Sequence, residues 1–140
     1  MSPDKLKMSP DNKIIVATTR FGALEVDAER VIDFPDGVIG FPGLKRYILI
    51  DHKDTSLKWL QSLDDPDIAF IVAEPAFIAP DFSLNVDFAI KKYLGVREDD
   101  DLVILLIIRV ENGQVKANVR GPLIFNAAAM RAVQVVLDRP

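Results

Sequence analysis

Turn signals divide most of this sequence into short runs of β-branched and aromatic residues. Asn112-Gly113 separates two apolar runs, and Pro35-Asp36-Gly37 ends a third. Asn-Gly favours a two-residue hairpin, because a type I′ turn needs positive φ at both central positions. Proline ends a strand because it has no backbone donor. This punctuation predicts a succession of short β-strands.

The strand predictions cover most of the chain after its first dozen residues. The run 102–110 is apolar on both faces and predicts a central strand that is covered on both sides. The acidic segment 64–67 predicts the tip of a hairpin, because its Asp and Pro residues favour turns. The predicted strands are residues 13–19, 24–26, 31–34, 47–50, 57–63, 68–72, 102–110, 115–119, 123–125 and 132–137.

One segment has a helical pattern instead. Apolar residues recur at spacings of three and four over 86–94, with Asn85 as the expected N-cap and Gly95 as the expected left-handed residue after the helix. Many short strands with one or two helices indicate a mainly β fold, a barrel or a sandwich. We expect a flexible N-terminal arm at 1–12 and a single small antiparallel barrel-like domain at 13–140.

Charge is distributed unevenly along the chain. The net charge is −4, but residues 64–101 alone carry ten acidic groups against three basic ones. Such a surface repels phosphate backbones and attracts basic proteins. The sequence therefore predicts a protein partner and no direct binding of nucleic acid.

Residues that commonly perform catalysis are scarce. There is no cysteine, and His52 is the one histidine, in a polar loop where a solvated surface role is the ordinary expectation. Glycines occur singly, without a phosphate-binding loop. We therefore expect no enzymatic activity, no metal and no cofactor. The apolar runs are too short to span a bilayer and the first residues do not form a secretory signal, so we expect a cytoplasmic protein.

Two groups of residues are candidates for an interface. Trp59, Gln61 and Ser62 lie on one predicted strand, where Trp offers a typical binding anchor and Gln-Ser offers directional hydrogen bonds. Acidic residues follow at the hairpin tip and again before the central strand. The alternative for these acids is an ordinary role in turns, capping and solvation. The acidic candidates are Asp64, Asp65, Asp99, Asp100 and Asp101.

Four blocks of the sequence resemble the FliW family of flagellar assembly factors. The blocks are Phe21-Gly22, residues 34–41, residues 59–72 and residues 117–126, and they occur in the family's order. The Leu-Gln-Ser-x-Asp-Asp-Pro motif in the third block is the most specific. Val38-Ile39 stands where family members usually have Leu-Pro, while the following Gly-Phe pair is kept.

The resemblance implies a small antiparallel β-barrel that is a monomer when free. It implies binding to the translational regulator CsrA, which relieves the repression of flagellin messenger RNA. In some bacteria such proteins also bind flagellin, so flagellin is a second possible partner. The competing hypothesis is a small β-barrel that holds a ligand or acts as a minor enzyme. A deep apolar pocket with converging polar groups supports that hypothesis, and a filled barrel favours protein binding.

Overall fold

The computed structural model of the chain describes residues 12–97 and 102–137. Within these ranges the chain is mostly β-strand, with two short α-helices and one turn of 3-10 helix at Ala28–Arg30. The helices are α1, Pro75–Ile78, and α2, Phe88–Tyr93. The strands are β1 Lys13–Thr18, β2 Gly22–Asp27, β3 Ile32–Asp33, β4 Arg46–Asp51, β5 Lys58–Ser62, β6 Ala69–Ala73, β7 Leu102–Glu111, β8 Gln114–Ala117, β9 Leu123–Asn126 and β10 Arg131–Gln134.

Seven of the described strands form a closed ring. Their order is β6-β5-β4-β3-β10-β9-β7, and β7 pairs with β6 to complete it. The pairs are antiparallel except for β3 and β10, which are parallel and share one paired position, Asp33 opposite Arg131. The prediction of a mainly β, barrel-like fold with one or two short helices is confirmed.

Strand β7 has three different neighbours along its length. Residues 102–105 pair with β9, residues 106–108 with β6, and residues 108–111 with β8. Its middle is buried on both faces, at Leu105 and Leu106, as the apolar run predicts. Its last three residues are exposed because β8 alone accompanies them, so the prediction of a fully covered strand is wrong at that end.

Apolar side chains fill the interior of the ring. They come from alternate positions of the strands, because successive side chains of a strand point to opposite faces. In β4, for example, Tyr47 and Leu49 pack into this core while Ile48 and Ile50 face outward. The buried members of the core are Ile32, Phe34, Val38, Tyr47, Leu60, Val72, Leu105, Leu123, Phe125 and Ala132.

The β1–β2 hairpin covers part of the outer face of the ring. Its buried residues Ile14 and Val16 pack with Ile48 of β4 and with Leu63, which follows β5. This second core explains why β4 is apolar on both faces. A strand that is covered on both sides cannot show the simple alternation of a half-exposed strand.

Helix α2 is fixed to the outside of the ring by polar contacts. The Asn126 side chain donates a hydrogen bond of 2.9 Å to the carbonyl of Leu94, and both residues are fully buried. Arg131 donates to the carbonyl of Tyr93 at 3.1 Å. The segment after α2 is therefore attached to β9 and β10.

The ends of α2 differ partly from the sequence prediction. Asp87 is the N-cap, because its carboxylate accepts a hydrogen bond from the amide of Ile90 at 2.9 Å, so the expectation of Asn85 is wrong. The extended backbone at Asp87 shortens the predicted helix at its start. Gly95 has φ of +68°, which confirms the left-handed residue after the helix.

The Pro-Asp-Gly turn requires glycine at Gly37 for two reasons. Its φ is +70°, and a Cβ atom there would lie 2.4 Å from the carbonyl oxygen of Phe41. At the β7–β8 turn, Asn112 and Gly113 have φ of 51° and 77°, which confirms the predicted type I′ geometry. Local turn chemistry thus sets both connections.

Candidate protein-binding surface

The loop between β5 and β6 is held together by its own polar side chains. The Ser62 hydroxyl is buried and accepts hydrogen bonds from the amides of Asp64 and Asp65, each at 3.0 Å. The Asp65 carboxylate accepts one from the amide of Asp67, also at 3.0 Å. The Ser-x-Asp-Asp-Pro-Asp sequence is therefore a self-bonded turn, as its composition indicates.

Gln61 joins the two sides of this loop. Its side-chain amide is fully buried and donates to the carbonyls of Ser62, Pro66 and Ile68 at 2.9, 3.3 and 3.1 Å. Three carbonyls around one amide nitrogen fix the orientation of the side chain, because the oxygen would be repelled there. Its Oε1 atom is buried and has no hydrogen-bond partner.

Gln61 and Ser62 were expected to offer hydrogen bonds to a partner protein. Neither exposes any surface, and the Gln61 amide nitrogen and the Ser62 hydroxyl bond within the loop itself. The structure therefore contradicts the expectation that these two side chains bond to a partner, because an inaccessible group cannot contact a partner directly. The sequence could not reveal this, since the loop's folded path alone brings the three carbonyls to Gln61.

Asp64 connects the loop to the start of β4. Its carboxylate accepts hydrogen bonds from the amides of Lys45 and Arg46 at 2.8 and 3.1 Å. The Arg46 guanidinium donates two more through Nε and Nη2, at 3.1 and 2.6 Å. Partial burial raises the pKa of this carboxyl, but these hydrogen bonds outweigh burial and hold its pKa below the ordinary value.

Trp59, unlike Gln61 and Ser62, remains accessible. It is half-buried on the outer face of β5, where the Arg20 guanidinium lies 4.3 Å from its ring centre. Phe21 contacts it edge-on at 5.8 Å between ring centres, and His52 lies 6.0 Å away. Arg20 and Phe21 come from the β1–β2 turn, which sequence reasoning did not connect with Trp59, because the two segments are distant in sequence.

The β1–β2 turn is also bonded to the acidic loop. The amide of Thr19 donates to the carbonyl of Pro66 at 3.0 Å, and the Thr19 hydroxyl donates to the Asp67 carboxylate. A recess of about 140 Å³ lies between these segments. We define the tip surface by five of the accessible residues of this junction: Arg20, Phe21, Trp59, Asp65 and Asp67.

Three of the acidic candidates are not among the residues that the structure describes. Asp99, Asp100 and Asp101 are outside the described residues, and so is the predicted arm up to residue 11. An interface at the tip surface or at the acidic run stays a prediction. So does the division of the chain into an arm and one domain.

The structure offers little for a ligand or a reaction. Residues 12–97 and 102–137 contain no group of three or more acidic or histidine side chains that could hold a metal. His52 contacts Thr55 at 3.2 Å through its ring nitrogen, and no acidic side chain of the described residues bonds to it. Apolar side chains fill the ring interior, and a recess of about 400 Å³ between β2 and β4 is an open groove on its outside. None of the helices in the described part of the chain is long and apolar enough to cross a membrane.

Comparison with known proteins gives one consistent family. The model of the FliW protein family matches residues 15–140. The flagellar assembly factor FliW of Caldanaerobacter subterraneus subsp. tengcongensis is 37% identical over 125 residues, covering 86% of this chain and 83% of that protein. The corresponding protein of Syntrophotalea carbinolica is 37% identical over 123 residues, covering 86% of this chain and 88% of its own length.

A solved structure has the same fold. The crystal structure of a flagellar assembly factor FliW superimposes with a TM-score of 0.83 at 25% identity, covering 90% of each chain. The similarity therefore extends over nine-tenths of the chain.

Proposed function

This chain belongs to the FliW family of flagellar assembly factors, and on that premise we propose that it binds a CsrA-type translational regulator and relieves repression of flagellin messenger RNA. The observation that carries the proposal is the family match across residues 15–140. Flagellin is proposed as a second partner, which competes with the regulator for this protein. The protein acts in the cytoplasm, where the regulator and the messenger RNA are found.

The physical properties of the chain support binding over catalysis. The ring interior is filled with side chains, so the fold itself provides a rigid outer surface. The tip surface places a half-buried Trp beside an Arg, two residue types that are common among interface anchors. Residues 64–101 carry an excess of seven acidic groups. A surface of that charge attracts a basic RNA-binding protein and repels RNA.

Titration calorimetry with the cognate regulator tests the proposal. We expect saturable binding, and we expect the bound regulator to lose affinity for a flagellin leader RNA in a competition assay. Trp59→Ala should weaken the complex if the tip surface takes part, whereas Val115→Ala, an exposed residue of β8, serves as a matched control. The absence of both heat and co-elution at tens of micromolar, on the order of the weakest specific regulatory complexes, contradicts the proposal.

A further inference from the structure

Strand β4 has an unpaired edge although it belongs to a closed ring. It pairs with β5 along its whole length, from Tyr47 to Asp51. On its other side it pairs with β3 at Arg46 and Tyr47 alone, because β3 is two residues long. Within the described residues, no strand lies beside the segment 48–51 on that side.

The direction of the hydrogen bonds identifies which peptide groups lie on this edge. The amide of Leu63 donates to the carbonyl of Arg46 at 2.8 Å. In an antiparallel pair, alternate residues form the hydrogen-bonded positions. Ile48 therefore bonds to β5 through its peptide groups, while those of Leu49 and Asp51 point away from β5.

The edge of β2 is also unpaired. The amide of Ala28 donates to the carbonyl of Asn12 at 3.0 Å, which continues the β1–β2 ladder by one pair. By the same alternation, the peptide groups of Glu25 and Asp27 point away from β1. The described residues place no strand on that side of β2.

A groove runs between these two edges. One recess of about 400 Å³ is lined by residues 24–27 of β2 and residues 48–51 of β4. A second, of about 240 Å³, adjoins it and shares Arg30 and Leu49. We call the two together the edge groove. Its apolar lining includes Leu24, Val26 and Ile50.

The edge groove has an acidic rim. Four carboxylates, those of Glu25, Asp27, Glu29 and Asp51, line it, against two basic groups, Lys13 and Arg30. Lys13 lies 3.1 Å from the Asp27 carboxylate and Lys58 of β5 lies 2.6 Å from the Asp51 carboxylate. Glu25 and Glu29 therefore carry the remaining negative charge of the rim, against Arg30. The rim therefore favours a basic occupant.

We propose that the edge groove binds an extended segment of a partner protein in which apolar residues alternate with Lys or Arg. The segment adds to β4 as a further strand and bonds to the peptide groups of Leu49 and Asp51. Backbone hydrogen bonds give such complexes their affinity, and alternate side chains give specificity. Apolar side chains enter the groove and basic ones meet its rim. This site is independent of the proposed function and of the tip surface.

A synthetic peptide tests the site in the full chain. The probe is an eight-residue peptide of alternating Val and Lys, blocked at both ends, added to isotope-labelled protein and followed by NMR. We expect shifts centred on Leu49 and Asp51 and exchange of their amides slowed by about tenfold or more, as new backbone hydrogen bonds require. A block peptide with four Lys before four Val has the same charge and should bind far more weakly.

A variant with reversed charges in the groove tests whether the acidic rim attracts the basic side chains of the peptide. Glu25→Lys combined with Glu29→Lys should weaken binding of the alternating peptide by about tenfold, because two attractions become repulsions. Asp81→Lys combined with Glu111→Lys changes net charge equally at exposed positions outside the groove and should leave binding unchanged. These substitutions are on the surface, so the fold is expected to persist in both variants.

Four results overturn the proposal. One is the absence of shifts at Leu49 and Asp51 up to about 1 mM peptide, beyond which binding has little specificity. Another is equal binding of the block peptide. A third is protection of the two amides in the free protein that disappears when residues 1–11 are deleted, since the chain's own N-terminus is then the occupant. The last is protection that rises with protein concentration, which identifies a second copy instead.

Discussion

Tyr47 places a hydroxyl group inside the apolar core of the ring. The residue is fully buried, its ring packs edge-on against Phe34 at 5.0 Å, and its Oη atom has no hydrogen-bond partner. An unsatisfied buried hydroxyl costs about 1–3 kcal/mol of stability. Burial first, and then the negative charge of Asp64, raise the pKa of Tyr47 to about 12.

Tyr47→Phe should therefore leave the free energy of unfolding at pH 7 unchanged or raise it by up to about 1 kcal/mol. A raised pKa favours the neutral hydroxyl in the folded state. The contribution of the neutral Tyr47 hydroxyl to stability is complete below the ordinary tyrosine pKa of about 10 and is lost as pH rises toward 12. Urea denaturation from pH 7 to pH 11 should show a shallower alkaline loss for the variant.

Tyr93→Phe is the matched control for that experiment. The Tyr93 hydroxyl donates to the Asp36 carboxylate at 2.7 Å, so this variant loses a hydrogen bond and should be less stable at pH 7. If Tyr47→Phe loses as much stability as Tyr93→Phe at pH 7, then the Tyr47 hydroxyl has a favourable partner and the interpretation is wrong.

At the level of elements, the β5–β6 loop shows how one carboxylate connects two hairpins. Asp64 accepts four N–H groups from Lys45 and Arg46, which fixes the loop against the start of β4. Its neighbour Asp65 accepts one backbone hydrogen bond within the turn. Asp64 and Asp65 are adjacent in the same motif, but Asp64 accepts four hydrogen bonds and Asp65 accepts one.

Asp64→Asn should lower the free energy of unfolding at pH 7 by about 1.5–3 kcal/mol, as expected for lost hydrogen bonds to a charged group. A lowered pKa means that the contribution of Asp64 is present above its ordinary pKa of about 4 and is lost as pH falls through the folded-state value. The difference between wild type and variant should therefore shrink below pH 4 in urea denaturation.

Asp65→Asn tests whether charge alone matters. An Asn side chain can still accept the amide of Asp67, so this variant should stay within about 0.5 kcal/mol of wild type, as ordinary surface substitutions do. If Asp64→Asn and Asp65→Asn lower the free energy of unfolding equally, the four hydrogen bonds of Asp64 contribute no more to stability than the one of Asp65.

The elements also show what sequence patterns can and cannot predict. Turn chemistry is local, so the Asn-Gly hairpin and the Pro-Asp-Gly turn were predicted from their own residues. Helix α1 was missed because four residues are too few to show a period. Strand β10 ends at Gln134, sooner than its apolar pattern predicts. The aromatic contacts of Trp59 depend on how distant segments pack, which no local pattern specifies.

At the scale of the whole molecule, charge is the property that the fold alone does not explain. Apolar burial accounts for the core of the described ring, and Asp64, Asp65 and Asp87 serve the β5–β6 loop and the start of α2. The segment 64–101 nevertheless carries an excess of seven acidic groups. We expect it to accelerate encounter with a basic partner and to repel RNA from the complex.

Replacing Asp99, Asp100 and Asp101 with Asn should lower both the association rate with the regulator and the ability to displace RNA. The two losses should diminish at high salt, because ions screen charges beyond about 10 Å at 0.1 M. Stopped-flow association and RNA competition measure them. A variant with Asp33→Asn, Asp54→Asn and Glu111→Gln removes three exposed charges elsewhere and is the control. If the two variants associate at the same rate and displace RNA equally well, the acidic run serves only to solvate its segment.

The parallel contact between β3 and β10 has a consequence for how the protein is made. It joins Asp33 to Arg131, positions 98 residues apart, and the ring is open until it forms. Chains grow from the N-terminus, so the apolar face of β4 is synthesised long before β10, which closes the ring by pairing with β3. The native core cannot be sealed until β10 has been synthesised. Pairings at such long separation in sequence also slow folding. The newly synthesised chain, whose ring is still open, is therefore the form of the protein most exposed to aggregation.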